Sequence, residues 1–372
     1  MSKFATQSAP ARGAAVVGSA VIDVITVIAE DNIERVTRRD GGAPVLQIEQ
    51  GRKLPAESIE SHVGGGGANV STSLSRLGWR AAAMCKLGDD LNAEAVRAHL
   101  AREAVSHELL LQSETAATGV SVMISAYDRN AAIFVHRGAN ELLTAEEVAA
   151  AQFGAAALVY VAPLSSGSAD CFGPLLLKAK ATNAFTAANL GIRHLTSRTR
   201  DVLEAMGQLD LLSLNAVEAA ALAPALIARG APEQRKGRRV VPPECELMRR
   251  GLRSGGCDLS LSDFFEAVHG LGPKWCLVTD GAAGAYLSGA GGVFFCGPAR
   301  AEVAGTAGAG DAYCSALTAM LVVGSSAEEA MISASLNAAS VVSHVNTTDG
   351  LMSASQLQDA LGKADLSPIQ VG

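Results

Sequence analysis

Residues 156–188 read AALVYVAPLSSGSADCFGPLLLKAKATNAFTAA. A short apolar run (156–161) leads into an alanine- and leucine-rich helical stretch (168–180) and then into a second short run (183–188). Strand, helix and strand in that order make a parallel pair, because parallel neighbours need a long crossover between them. The alternation continues outward on both sides. Further strands are expected at 14–18, 81–86, 210–213 and 275–279, with helices at 68–77, 91–104 and 215–222. Gly78 is placed to end the first of these helices. Beyond 308 the chain reads as helix over 309–323, 327–343 and 354–361. Uninterrupted apolar strands between helices indicate an α/β protein whose mostly parallel sheet is covered on both faces.

Two stretches break this rhythm. Within 25–63, VITVIAEDNIERV and APVLQIEQGRKLPAESIESHV partly alternate polar and apolar residues, and TGVSVMISAYDRNAAIFVH (118–136) reads as two strands around a turn at Asp128-Arg129-Asn130. Half-exposed antiparallel strands of this kind form a small β-lid on a larger body. The expected division is an N-terminal extension at 1–12, a body of 13–24, 64–117 and 138–372, and a lid of 25–63 and 118–137. Residues 224–262, rich in Pro, Arg, Gly and Glu, are expected as a mobile surface insertion with some helix.

Composition narrows the function classes. Of 372 residues, 49% are hydrophobic and 18% charged, which supports a sizeable core. A net charge of -7 argues against a nucleic-acid partner, since such proteins show a basic face. Seven cysteines without CxxC spacing argue against a disulfide framework or a zinc cluster and suit a reducing cytoplasm. The apolar run 14–29 carries Asp23 at its middle and is too short to span a membrane; it reads as a buried first strand.

Chemistry concentrates in five segments. In AGTAGAGDAYCSAL (304–317), Gly308, Ala309 and Gly310 precede an apolar helix, so their amides can face an anion at its positive end. Asp311 lies in the first turn, where a carboxylate can take a proton from a hydroxyl during phosphoryl transfer; alone, it also fits a plain helix start. No GKS or GKT follows, so this is not a Walker A loop. In VGGGGANVSTSLSRLG (63–78), Gly65 and Gly66 allow close backbone approach and Asn69 offers a donor and an acceptor. A flexible loop is the plain alternative, and a dinucleotide fingerprint fails for want of its βα context. Asn215 and Glu218 of NAVE follow an apolar strand, either as a Mg²⁺-organising pair or as capping residues. Thr279, Gly281 and Gly284 of VTDGAAGAYL suit a loop around a nucleotide, or a glycine-rich hairpin. Asp23 in VVGSAVIDVI needs a partner or a polar cavity.

GSAVID, GGGGAN, NAVE, TDGAAG and GTAGAGD, in this order, resemble motifs of the ribokinase-like (PfkB) family of carbohydrate and nucleoside kinases over about 14–350. The resemblance implies a three-layer α/β/α body with a mostly parallel central sheet and a small antiparallel β-lid. It implies transfer of the γ-phosphate of ATP to a hydroxyl of a sugar or sugar-like molecule, with Asp311 as general base beside an anion hole of Gly308, Ala309 and Gly310. Asp23, Gly65, Gly66 and Asn69 would bind the acceptor. Asn215, Thr279, Gly281, Gly284 and Thr306 would serve the nucleotide, Glu218 would serve Mg²⁺, and the lids would join a homodimer. Gly305 replaces the Asp that commonly opens the last motif, which leaves K⁺ activation open, and Gly66 replaces the lysine of ribokinases. VYVAPLSS (159–166) lacks their acidic sugar ligand, so the acceptor need not be ribose. A nucleoside acceptor would call for an aromatic from the lid, Phe134 or Tyr127, which also fit plain lid packing, and a phosphosugar for cations such as Arg129, Arg137 or Lys53, which fit scattered surface charges better. A non-catalytic sugar-binding relative is the reading from another class.

Overall fold

The computed structural model describes residues 11–29, 34–36, 45–47, 51, 53–125, 131–232 and 241–371. The extension up to residue 10, the Asp128-Arg129-Asn130 turn and Tyr127 lie outside them. The main sheet has nine strands. Six run parallel, in the spatial order Leu211–Asn215 beside Trp275–Thr279 on one side and Phe185–Asn189, Ala156–Val161, Gly13–Val17 and Arg80–Met84 on the other. Antiparallel Ala285–Gly289, Gly292–Cys296 and Ile369–Gln370 extend one edge.

Alternate residues of the parallel strands point to opposite faces, and each face has its own core. Val17, Val159, Val161 and Leu212 pack with helices Phe172–Ala181, Ala216–Ala228 and Leu261–Gly270. Val16, Leu158, Tyr160 and Leu211 pack with helices Gly66–Arg76, Leu91–Arg102, Ala309–Val322 and Ala327–Val342. The three-layer body is thus a direct result of two-sided apolar strands.

The second sheet holds Ala131–His136, Gly119–Ser125, Val21–Ile28 and Ala56–Gly64 in that order. Its outer pairings are antiparallel and its central one, between Val21–Ile28 and Gly119–Ser125, is parallel. Because the lid strand begins at Val21, Asp23 is carried by the lid and not by the body segment 13–24.

The 224–262 stretch differs from a plain surface insertion. Helix Ala216–Ala228 runs into it, and Cys245, Leu247, Leu252, Leu259 and Leu261 are buried in the first core. A hairpin of Leu252–Ser254 and Cys257–Leu259 packs on that same helix. Scattered apolar residues among Pro and Arg hid this contribution from composition. All seven cysteines are free, and Cys257 is the one that is not buried.

Candidate active site

The site is assembled where the lid meets the carboxyl ends of the parallel strands, the place where α/β sheets bind ligands. Helices Gly66–Arg76 and Ala309–Val322 pack against each other and are pinned by a buried hydrogen bond from Ser315 Oγ to Ser73 Oγ (2.7 Å). That packing sets the two glycine segments side by side. Asn69 Nδ2 donates to Asp311 Oδ2 at 2.8 Å across 242 residues of sequence. A Cβ built on Gly66 would stand 3.6 Å from Asp311 Oδ1, so the first turn of each helix faces the same carboxylate.

Thr347 fixes the arrangement. Its hydroxyl donates to Asn69 Oδ1 at 2.9 Å, which leaves the amide nitrogen to point at Asp311. Gly308 caps the helix in the left-handed region (φ 79), where a side chain would also meet Thr347 Cβ at 2.8 Å. One threonine therefore contacts both glycine segments.

Asp23 is buried, and Ser121 Oγ donates to its Oδ1. Gly64 leaves room for the carboxylate, since any Cβ there would overlap Asp23 Oδ2. Burial pushes the Asp23 carboxyl above its ordinary range, against the opposing effects of Ser121 and His62. Asp311 is raised too, first by desolvation and then by the charge of Asp23, with the Asn69 hydrogen bond pulling the other way. A carboxyl whose proton affinity is raised by burial and by a neighbouring carboxylate, as at Asp311, is suited to receiving a proton.

A cavity of about 220 Å³ opens beside Asp23 and Gly65. Its walls include Met123, Ile133 and Val135 from the lid and Pro163 and Leu164 from the body. Phe134, between two lining residues, is turned outward and is 62% exposed, so it cannot stack on a ligand in this cavity.

The residues expected to serve the nucleotide form a separate group. Asn215 and Thr279 are register partners at the ends of adjacent parallel strands. Asn215 starts helix Ala216–Ala228 in a capping box: its Oδ1 accepts from Glu218 N (2.9 Å), and its own N donates to Glu218 Oε2 (2.8 Å). The capping alternative is therefore realised. Burial raises the Glu218 carboxyl to about 7 despite these two bonds. Gly281 and Gly284 bracket a short turn in which Asp280 N donates to Gly284 O (2.8 Å), and Arg250 grips the Asp280 carboxylate at 2.7 and 2.8 Å. Thr306 and Gly310 are exposed, Ala309 is half-buried, and Gly305 N donates to Val342 O (3.1 Å). Tyr160 is fully buried, and after burial itself Cys314, Asp311 and Glu218 all push its phenol up.

Sequence reasoning missed Ser121, Asn140 and Thr347. Asn140 lines the cavity and clamps the strand entry, accepting from Ala20 N (3.0 Å) and donating to Ala20 O (2.9 Å). These residues meet their partners across 98, 120 and 278 positions, with no local spacing to signal it.

The model of the pfkB family carbohydrate kinases matches residues 14–354. The chain belongs to that family. Among solved structures similar to this pfkB chain, ribokinase from Thermotoga maritima superposes with a TM-score of 0.69 at 18% identity, covering 95% of this chain and 100% of the other. Arabidopsis thaliana ribokinase, complexed with ribose and ATP, gives 0.68 at 20% identity, covering 95% and 99%. A Burkholderia thailandensis nucleoside kinase in complex with inosine gives 0.69 at 16%, covering 95% and 98%. At these identities the likeness establishes the shared fold. A mouse (Mus musculus) ribokinase is 33% identical over 103 residues, so the match spans 26% of this pfkB chain and 32% of that relative. No helix among the described residues is long and apolar enough to cross a membrane.

Proposed function

We propose that this chain transfers the γ-phosphoryl group of ATP to a hydroxyl of a sugar or sugar-like molecule, with Asp311 as the general base. The observation that carries the reading is the Asn69–Asp311 hydrogen bond at the head of the glycine-preceded helix. It brings the acceptor-side amide and the base to one point, next to Gly66 and the cavity that contains Asp23.

In this mechanism Asp23 and Asn69 orient the acceptor, and its hydroxyl proton passes to Asp311. The acceptor oxygen bonds to the γ-phosphorus as the bond to the ADP oxygen breaks. The amides of Gly308, Ala309 and Gly310 face the charge that accumulates on the transferred group. The lid keeps water from competing with the acceptor. Asn215, Thr279, Gly281, Gly284 and Thr306 serve the nucleotide.

Mg²⁺, when bound, neutralises phosphate charge. Glu218 fits a water-mediated role because its Oε1 is left free by the capping box. No cluster of three or more His, Cys, Asp or Glu side chains suited to a metal is found among the described residues. K⁺ would lack a carboxylate at Gly305. A nucleoside acceptor is the less supported reading, because Phe134 faces away from the cavity. A homodimer through the lid is supported by Ile59, Val122 and Phe134, apolar and exposed there; light scattering at micromolar concentration that gives a monomer mass would end that idea.

The test is ADP release across a panel of sugars and nucleosides, with and without K⁺. Turnover of a sugar is expected, with weak K⁺ response. Ligand binding without any ADP release would instead favour a non-catalytic protein.

A further inference from the structure

We propose that the acceptor carries an anionic group, a carboxylate or a phosphate, away from the hydroxyl that is phosphorylated, and that Arg137 receives it. This rests on the kinase reading above and extends it to the class of acceptor.

The cavity has two charged side chains on its walls, Asp23 and Arg137. Asp23, Ser121 and Val135 are in register across three lid strands, and Ile133 and Val135 both line the cavity. Arg137 lies two residues beyond Val135 and continues that face past the end of the strand. Two interstrand steps and one two-residue step separate the Asp23 and Arg137 backbones by roughly 12 Å. A five- or six-carbon chain bridges that gap once both side chains reach inward.

Of the other polar side chains, Asn140, Ser121 and Ser168 are already engaged, which leaves the hydroxyls of Ser19 and Ser165. Asn140 has its oxygen on Ala20 N and its nitrogen on the carbonyls of Ala20 and Arg137. Ser121 donates to Asp23, and Ser168 Oγ donates to Ser165 O. The remaining wall is largely apolar: Val21, Met123, Ile133, Val135 and Leu164. Such walls suit a carbon chain but offer few partners to the several hydroxyls of a neutral sugar.

Arg137 is ion-paired with Glu141, but loosely, and its donors are not taken up by that partner. Its Nε is 3.7 Å from Glu141 Oε1, beyond hydrogen-bond distance, and that same oxygen accepts from Ser166 Oγ at 2.7 Å. A planar guanidinium in this state is shaped for a carboxylate or a phosphate.

The experiment measures kcat/KM by ADP release for three acceptors of equal carbon number: an aldose, its aldonate and its phosphate ester. One of the charged forms is expected to exceed the aldose by about 10–100-fold, the range of one charge-assisted hydrogen bond. Which form it is tells carboxylate from phosphate. Arg137→Met should bring that charged-to-neutral ratio close to one, and Arg137→Lys should restore part of it. A neutral aldose that matches or beats both charged forms overturns the proposal, as does a variant that lowers all three equally. Turnover of nucleosides alone overturns this inference and leaves the kinase reading intact. Turnover of nothing overturns both.

Discussion

The end of the site around Asp23 and Asn69 is buried and these two side chains are engaged, whereas the end around Asn215 and Thr306 is open. Asp23 and Asn69 are 5% and 4% exposed, and Ser121, Thr347 and Asp311 hold them in place. Asn215, Thr306 and Gly310 face solvent, and the Asn215 side chain is occupied in starting its own helix. Local order at the first end is produced by folding. At the second, the capping box and the Asp280–Gly284 turn order the backbone while side chains remain open to solvent. Asp311 sits at the junction.

The sharpest way to break this division is Asp311→Asn. Loss of a general base lowers rate by about 10²–10⁴-fold, and steady-state kinetics should place that loss in kcat while both KM values stay near wild type. A variant with almost normal kcat would remove Asp311 from its role. Gly64→Ala attacks the acceptor end alone. The added methyl overlaps Asp23, so it should displace that carboxylate and lower kcat/KM for the acceptor, beside a folding-stability cost of about 1–3 kcal/mol from overpacking. The KM for ATP should hold; if it rises in parallel, the two ends are not separable.

Glu218→Gln probes the open end with the smallest effect. The Mg²⁺ titration should shift to higher concentration by a few-fold, and an unchanged curve would free Glu218 of that role. The same variant has a pH signature. The native carboxyl titrates at about 7 against an ordinary 4.5, so between those values the folded state holds more protons than the unfolded one. Stability from this group therefore declines as pH rises from about 4.5 to about 7. Thermal unfolding of the variant should be flatter with pH over that window; an identical slope would mean the carboxylate is not desolvated.

Much of the body was legible because its signals are local. The strand expected at 156–161 is Ala156–Val161, and the helix expected at 354–361 is Ala354–Leu361. The lid strands within 118–136 were legible for the same reason. The antiparallel edge was not: Ala285–Gly289 and Gly292–Cys296 are short and glycine-bounded, and Ile369–Gln370 contributes only two residues. In the site, Asp311 and the glycines announced themselves by spacing. Thr347 carries no such mark, since a threonine in a polar turn is ordinary until folding places it against Asn69 and Gly308. Phe134 shows the opposite error: its type suggested a ligand contact, and the pleat of its strand turned it away.

The distribution of thiols has a practical consequence. Burial pushes Cys85 and Cys314 up to about 12 and Cys171, Cys245 and Cys296 to about 11, and Cys276 is raised as well, so these sulfurs resist alkylation. Cys257 alone retains open surface, on a hairpin seated against the helix that Asn215 and Glu218 begin. The wild-type chain thus offers a single anchoring point for a maleimide fluorophore, from which nucleotide arrival could be followed by emission without engineering a new cysteine.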